Sequence, residues 1–131
     1  LMHGDTLCTD DHEYMAFRAT VRNPAWQQDF LHKPLPERKQ IGRSLREQSR
    51  ESTASKAEAI MDVNPEAVEQ ALRAHGVRRL IHGHTHRPAI HTLEVDGEPA
   101  QRIVLGDWYR HGSVLVCNAA GCELQDLPVD H

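Results

Sequence analysis

The residue types best suited to chemistry in this chain are its histidines, ten in 131 residues. Gly83-His84-Thr85-His86 sets two imidazoles two positions apart in a loop entered through glycine, whose freedom lets the backbone turn tightly. An i, i+2 pair in an extended loop sends its side chains in different directions. That suits two neighbouring metal ions better than chelation of one; the plainer alternative is a loop with two solvent histidines. His3, followed by Gly4 and Asp5, is a second source of imidazole. If its segment and the strand before Gly83 lie in one sheet, His3 and His84 reach the same cleft, and Asp5 can orient a ligand from behind. Arg46, Ser49, Thr53 and Lys56 are spaced i, i+3, i+7 and i+10, on one helical face. Two cations and two hydroxyls there form either a phosphate-binding surface or a solvated face. Tyr14, Phe17, Trp26 and Phe30 hold most of the aromatic side chains, as the core of a small helical unit or as a wall for an apolar ligand.

The elements that must position these groups follow from pattern and punctuation. Asp10-Asp11 caps a helix through Tyr14, Phe17 and Val21, an i, i+3, i+7 stripe. Asn23-Pro24 ends it, and Trp26 and Phe30 lie one turn apart on a second short helix. Pro34 and Pro36 break the chain again. Glu37 to Ala59 is polar and rich in helix formers, which predicts a long exposed helix bent near Gly42 or Ser52-Thr53. Asn64-Pro65 opens a helix with Glu66 in its first turn, a stripe of Val68, Ala71, Leu72 and His75, and Gly76 as its stop. Val77 to Ile81 then reads as a buried strand ending at the Gly83 loop, where α/β proteins usually keep their ligands. Turn signals at Asp96-Gly97, His111-Gly112 and Ala120-Gly121 divide the remainder into an antiparallel set at about 90–95, 102–106, 113–118 and 122–127. The helical stretch from Asp10 to about Ala59 reads as a cap on the histidine site.

Apolar residues make up 39% and charged residues 26% of the chain, a composition for a folded domain with a modest core. No run approaches the ~18 apolar residues of a membrane span, and Leu1 to Asp10 has no signal-peptide character; a cytoplasmic protein is expected. The chain opens at Leu1-Met2-His3 as if inside a strand, so upstream sequence is expected to be missing. Between Arg18 and Lys56 nine Lys/Arg face four Asp/Glu, a local +5 in a chain of −4 overall. That asymmetry suggests a basic element facing an anionic ligand, while the net negative charge argues against general nucleic-acid binding. Cys8, Cys117 and Cys122 are an odd number without metal-like spacing. Reduced, inert thiols are the expectation, although Cys117 and Cys122 can face each other across a hairpin.

Taken together, Gly83-His84-Thr85-His86 and the earlier His3-Gly4 resemble the last two motifs of the calcineurin-like metallophosphoesterases. Longer strings narrow the resemblance to the UDP-2,3-diacylglucosamine hydrolase family of lipid A biosynthesis. They are His3-Gly4-Asp5-Thr6-Leu7-Cys8-Thr9-Asp10-Asp11, Ala59-Ile60-Met61-Asp62-Val63-Asn64, Ile81-His82-Gly83-His84-Thr85-His86-Arg87-Pro88 and Leu105-Gly106-Asp107-Trp108-Tyr109. The resemblance implies an α/β two-sheet sandwich flanked by helices, with residues 1–131 forming the C-terminal part of one domain and an inserted helical cap over about 10–60. It implies two Mn2+ ions, with His3 and His84 on one, His86 on the other, and His84 also touching the substrate phosphate. Asp11, Ser49, Thr53 and Lys56 fall where the family contacts the glucosamine phosphate, and Tyr14, Phe17 and Phe30 where it holds acyl chains.

The implied reaction is hydrolysis of UDP-2,3-diacylglucosamine to UMP and 2,3-diacylglucosamine 1-phosphate (lipid X), at the cytoplasmic face of the inner membrane to which the enzyme attaches peripherally. The family's first three motifs (Asp-x-His, Gly-Asp, and Gly-Asn) are absent here and belong to an N-terminal half that completes the metal site. Two alternatives remain at this level: another calcineurin-like nuclease or phosphatase, and a non-catalytic fragment.

Overall fold

A computed structural model describes residues 1–128. The chain is α/β and divides into two compact units, one of Thr9–Asp62 and one of Leu1–Cys8 with the chain from Val63 onward.

The first of these is helical. Helix α1 (His12–Val21) begins where the Asp11 carboxylate accepts the Tyr14 N–H at 3.0 Å, and α2 (Pro24–His32) begins where Asn23 Oδ1 accepts from Ala25 N at 2.8 Å. These short polar side chains satisfy amides that the first helical turn leaves without partners. Helix α3 spans Leu35–Ser55 and stops four residues before the expected Ala59. The Ser52-Thr53-Ser55 run offers hydroxyls that compete for the backbone; Ser55 Oγ bonds the Ser52 carbonyl at 3.0 Å, and Lys56 leaves the helix with extended backbone. The i+10 place of Lys56 on the helical stripe is therefore not realised. Among the described residues of this unit only Asp11 is buried.

The second unit has the apolar core. Helix α4 (Pro65–His75) is capped by Asn64, has Pro65 at its start, and ends at Gly76 with φ 59°. Glycine adopts that left-handed conformation without cost, and the Gly76 and Val77 amides close onto the Arg73 and Leu72 carbonyls. Val68 and Leu72 face inward and pack with Leu7, Leu80, Val95 and Ala100; His75, the last member of the expected stripe, is exposed.

Strand β1 (Arg79–His82) starts two residues later than expected, and Val77 is 43% exposed. β2 (Ala89–Val95) and β3 (Glu98–Val104) form a hairpin through Asp96 and Gly97, both at positive φ as a two-residue primed turn demands. β4 (His111–Asn118) and β5 (Gly121–Pro128) form a second hairpin.

The expected single antiparallel set is instead two sheets. β3 lies between β1 and β2, parallel to β1 with Ile81 opposite Ile103, while β4 and β5 pair apart from them. Alternation along a strand marks its buried face but not its partner, so β3's parallel pairing carried no signal. His111-Gly112 is no turn either: it opens β4, and Gly112 lies so close to the Trp108 ring that a Cβ would meet it at 2.9 Å. Cys117 and Cys122 are directly paired across the second hairpin, Cα atoms 4.0 Å apart, and form a disulfide, so of the three cysteines only buried Cys8 keeps the reduced thiol expected.

Candidate functional site

The histidine loop grows from the end of β1. His82, its last residue, is completely buried, and the loop leaves through Gly83. On the free edge of β1 the opening segment is held by Met2 N donating to Ile81 O and Gly83 N donating to His3 O, both at 3.0 Å. Residues 1–3 thus lie along β1 without forming a regular strand. This brings the His3 and His84 rings to a centroid distance of 5.0 Å, tilted 58°.

The backbone does its turning elsewhere than expected. Gly83 has no positive φ; His84 (φ 69°) and His86 (φ 54°) adopt the left-handed region themselves. Such conformations are uncommon for residues with a Cβ and cluster at sites under functional constraint. The glycine the geometry requires is Gly4, at φ 106°, where a Cβ would lie 2.6 Å from His82 Nδ1.

His3 Nδ1 lies 3.1 Å from Asp5 Oδ1, and the Asp5 carboxylate is nearly buried whereas the His3 ring is mostly exposed. One imidazole nitrogen is thereby fixed against a carboxylate and the other is left outward, the usual arrangement behind a metal-binding histidine. Burial, joined by the charge of His3, lowers the His84 pKa below the ordinary histidine value, with Asp5 opposing. His84 is thus held in the neutral form a metal requires. His86 diverges from this pair, with Nδ1 3.8 Å from Asp107 Oδ2 and its ring edge-on to Tyr109 at 6.1 Å.

Among the described residues no three His, Cys, Asp or Glu side chains converge tightly enough to hold one ion. The donor chemistry fits a divalent transition metal: neutral imidazole, a carboxylate behind His3, and a buried Thr85 hydroxyl in the same loop with no hydrogen-bond partner. The number of donors is that of a partial shell.

Within the helical unit a cleft of about 280 Å³ is lined by Asp11, Tyr14, Phe17, Ser49, Thr53 and Lys56 together with Glu13, Leu45, Gln48 and Ser52. Lys56 Nζ donates to Asp11 Oδ1 at 2.8 Å and to Glu13 Oε2 at 3.1 Å, and Ser52 Oγ donates to Glu13 Oε2 at 2.9 Å. Burial works to raise the Asp11 pKa and to lower that of Lys56, but the bond between them prevails: Asp11 ends below and Lys56 above its ordinary value. The Ser52 and Lys56 bonds likewise lower the pKa of Glu13. Three expected members, Arg46, Trp26 and Phe30, lie outside the cleft lining. Arg46 is exposed, and Phe30 stacks on Trp26 at 5.2 Å with planes 8° apart.

Comparison with curated proteins bears on what these sites serve. The chain is 53% identical to the UDP-2,3-diacylglucosamine hydrolase of Azotobacter vinelandii over 130 residues, which is 99% of this chain and 54% of that protein. The protein of the same name from Pseudomonas paraeruginosa is 54% identical over 98% of the chain and 54% of its own length. That of Chromohalobacter salexigens is 59% identical over 82% of the chain and 44% of its own length. The chain is homologous to the C-terminal part of the UDP-2,3-diacylglucosamine hydrolases. It spans about half the length of the curated relatives it matches. No protein-family model matches it.

As a UDP-2,3-diacylglucosamine hydrolase homologue, the chain has functional candidates that its sequence alone did not single out. His82 is one, buried against both histidine-bearing segments, and Glu13 and Ser52 are others, completing the Lys56 network. The available signal for His82 was its phase: it falls two residues after Leu80 on the buried side of β1, where a polar residue needs dedicated partners. Glu13 and Ser52 had none, since the bond between them spans 39 residues of sequence.

Proposed function

We propose that this chain is the C-terminal portion of a calcineurin-like metallophosphoesterase that hydrolyses UDP-2,3-diacylglucosamine to UMP and 2,3-diacylglucosamine 1-phosphate (lipid X) in lipid A biosynthesis. The observation that carries the reading is identity above 50%, over nearly the whole chain, to proteins named for that activity. The histidine loop supports it with chemistry suited to phosphoester hydrolysis.

In this reading His3 and His84 hold one Mn2+ and His86 holds a second, with further donors supplied from the N-terminal half. When bound, the metal pair supplies Lewis acidity, polarising the phosphoryl oxygens and making water nucleophilic at neutral pH. His84, uncharged, offers a nitrogen lone pair and meets the substrate phosphate. Asp5 fixes the ring of His3 so that its outer nitrogen is presented in one direction.

In the cap cleft the hydroxyls of Ser49 and Thr53 meet the glucosamine phosphate, while Tyr14 and Phe17 form the apolar wall beside the acyl chains. Lys56, already balanced by Asp11 and Glu13, acts as a fixed hydrogen-bond donor more than as a bare charge. Phe30 serves the acyl chains from the separate Trp26–Phe30 face. The lipid substrate favours peripheral attachment at the cytoplasmic membrane surface; among the described residues no helix is long and apolar enough to cross a membrane.

The test is manganese-dependent UMP release from UDP-2,3-diacylglucosamine by a polypeptide extended upstream to its relatives' length. Release that His84→Ala abolishes is the expected result. Hydrolysis of a generic aryl phosphodiester without action on the diacyl substrate would overturn the substrate and favour another phosphoesterase.

A further inference from the structure

His82 does no chemistry in the proposed reaction, yet it has the most constrained surroundings of any histidine described. Its side chain is completely buried. Nδ1 lies 2.8 Å from the carbonyl oxygen of Gly83, and Nε2 lies 3.3 Å from Arg102 Nη1. The carbonyl can only accept and the guanidinium can only donate, so the ring must carry its hydrogen on Nδ1 and present a lone pair at Nε2. Arg102 thus fixes both the tautomer and the rotation of the ring.

Two segments rest on that ring. Gly83, whose carbonyl it holds, directly precedes His84, so the bond fixes the peptide plane from which the His84 backbone departs at φ 69°. Gly4 packs against the same Nδ1 edge, close enough that a Cβ would stand 2.6 Å from Nδ1 and 3.1 Å from both Cγ and the Gly83 carbonyl oxygen. Gly4 directly follows His3. One buried ring is therefore the common wall of both segments whose imidazoles stand 5.0 Å apart.

We propose that His82, oriented by Arg102, is a positioning residue that sets the separation and direction of His3 and His84. The proposal rests on the reading that those two histidines bind metal. A partner behind the ligands fixes the donor atoms before the ion arrives, and losing such a partner typically costs 10–100-fold in metal affinity.

The experiment uses the polypeptide of the relatives' full length and measures Mn2+ affinity by electron paramagnetic resonance at a temperature where each variant is folded, with Tm recorded separately. His82→Leu fills the space without hydrogen bonds and is expected to weaken Mn2+ binding by about 10–100-fold. His82→Asn retains an N–H near the Nδ1 position and is expected to recover most of that loss. Arg102→Leu is expected to weaken binding in the native background and to add little to His82→Leu, because the two residues act through one bond.

Unchanged Mn2+ affinity in folded His82→Leu, or equal losses in the Leu and Asn variants, overturns the proposal; a fall in Tm alone would mark the role as structural. Should His82→Leu fail to fold, His82→Asn and Arg102→Leu decide in the same way, and unchanged affinity in Arg102→Leu overturns it. His84→Ala separates the two readings. If it too leaves Mn2+ binding intact, the metal assignment fails; if it abolishes binding while His82→Leu does not, only the positioning role fails.

Discussion

Gly4 and Gly83 look equivalent in the sequence, each being the neighbour of a histidine, but they face opposite demands. At Gly4 the backbone stands at φ 106°, and an added Cβ would press on the His82 ring and on the Gly83 carbonyl. At Gly83 the φ is ordinary and the nearest atom to an added Cβ is 3.9 Å away. Gly4→Ala is therefore expected to destabilise the protein by about 1–3 kcal/mol, and Gly83→Ala by under about 1 kcal/mol, both read from urea unfolding. Equal effects would mean that the close approach of Gly4 to His82 is not maintained in solution. The meeting of His3 with His84 was legible from residue type and place, although the opening segment that brings His3 to the end of β1 is held there by two backbone bonds and not as the strand expected. The assignment of the tight turn to Gly83 failed since a glycine announces freedom without saying which neighbour uses it. Here the use is packing at Gly4, while two histidines take the left-handed conformations.

At the scale of elements, legibility followed locality. Helix α4 was readable from both ends because every signal that bounds it lies within one turn of its boundary: the Asn64 side chain, Pro65, and the left-handed Gly76. The Asp96-Gly97 hairpin was readable for the same reason. The parallel pairing of β3 with β1, the separation of β4–β5, and the bond from Ser52 to Glu13 all join residues distant in sequence, and periodicity has no access to partners. Locality also makes α4 easy to perturb in a predictable way. Asn64 Oδ1 accepts the Ala67 amide at 3.1 Å, so Asn64→Ala leaves that donor unsatisfied and is expected to cost about 1 kcal/mol. Leu72→Ala, from a side chain only 1% exposed in the core, is expected to cost about 2–5 kcal/mol. Thermal or urea unfolding would check both, and a loss for Asn64→Ala as large as for Leu72→Ala would show that the cap supports more than its own helix.

Across the whole molecule the two units rest on different physics, and their dynamics should differ accordingly. The unit of Leu1–Cys8 and the chain from Val63 buries an apolar cluster, whereas Thr9–Asp62 buries no apolar side chain among the described residues. With few buried contacts to lose, the helical unit is expected to open locally at a lower free energy, so its amides should exchange with deuterium well before those of β1 and β3. Its polar network gives that opening a pH dependence. Asp11 and Glu13 have lowered pKa values, so their contribution is present above the ordinary carboxylate range and lost as pH falls through the lowered values. Lys56 has a raised pKa, so its contribution is present below the ordinary lysine value and lost as pH rises through the raised one. Protection in α1 and at the end of α3 should therefore form a plateau between about pH 5 and pH 10 and decline on the acid side first. Lys56→Met should speed exchange there a few-fold at pH 7 and flatten the acid decline, since without the ammonium the two carboxylates lose the partner that holds them ionised. Hydrogen exchange followed by mass spectrometry from about pH 3 to about pH 8, with rates corrected for intrinsic chemistry, would read this directly. An undiminished acid decline in Lys56→Met would move the origin of the pH dependence away from this network and onto the helix caps alone.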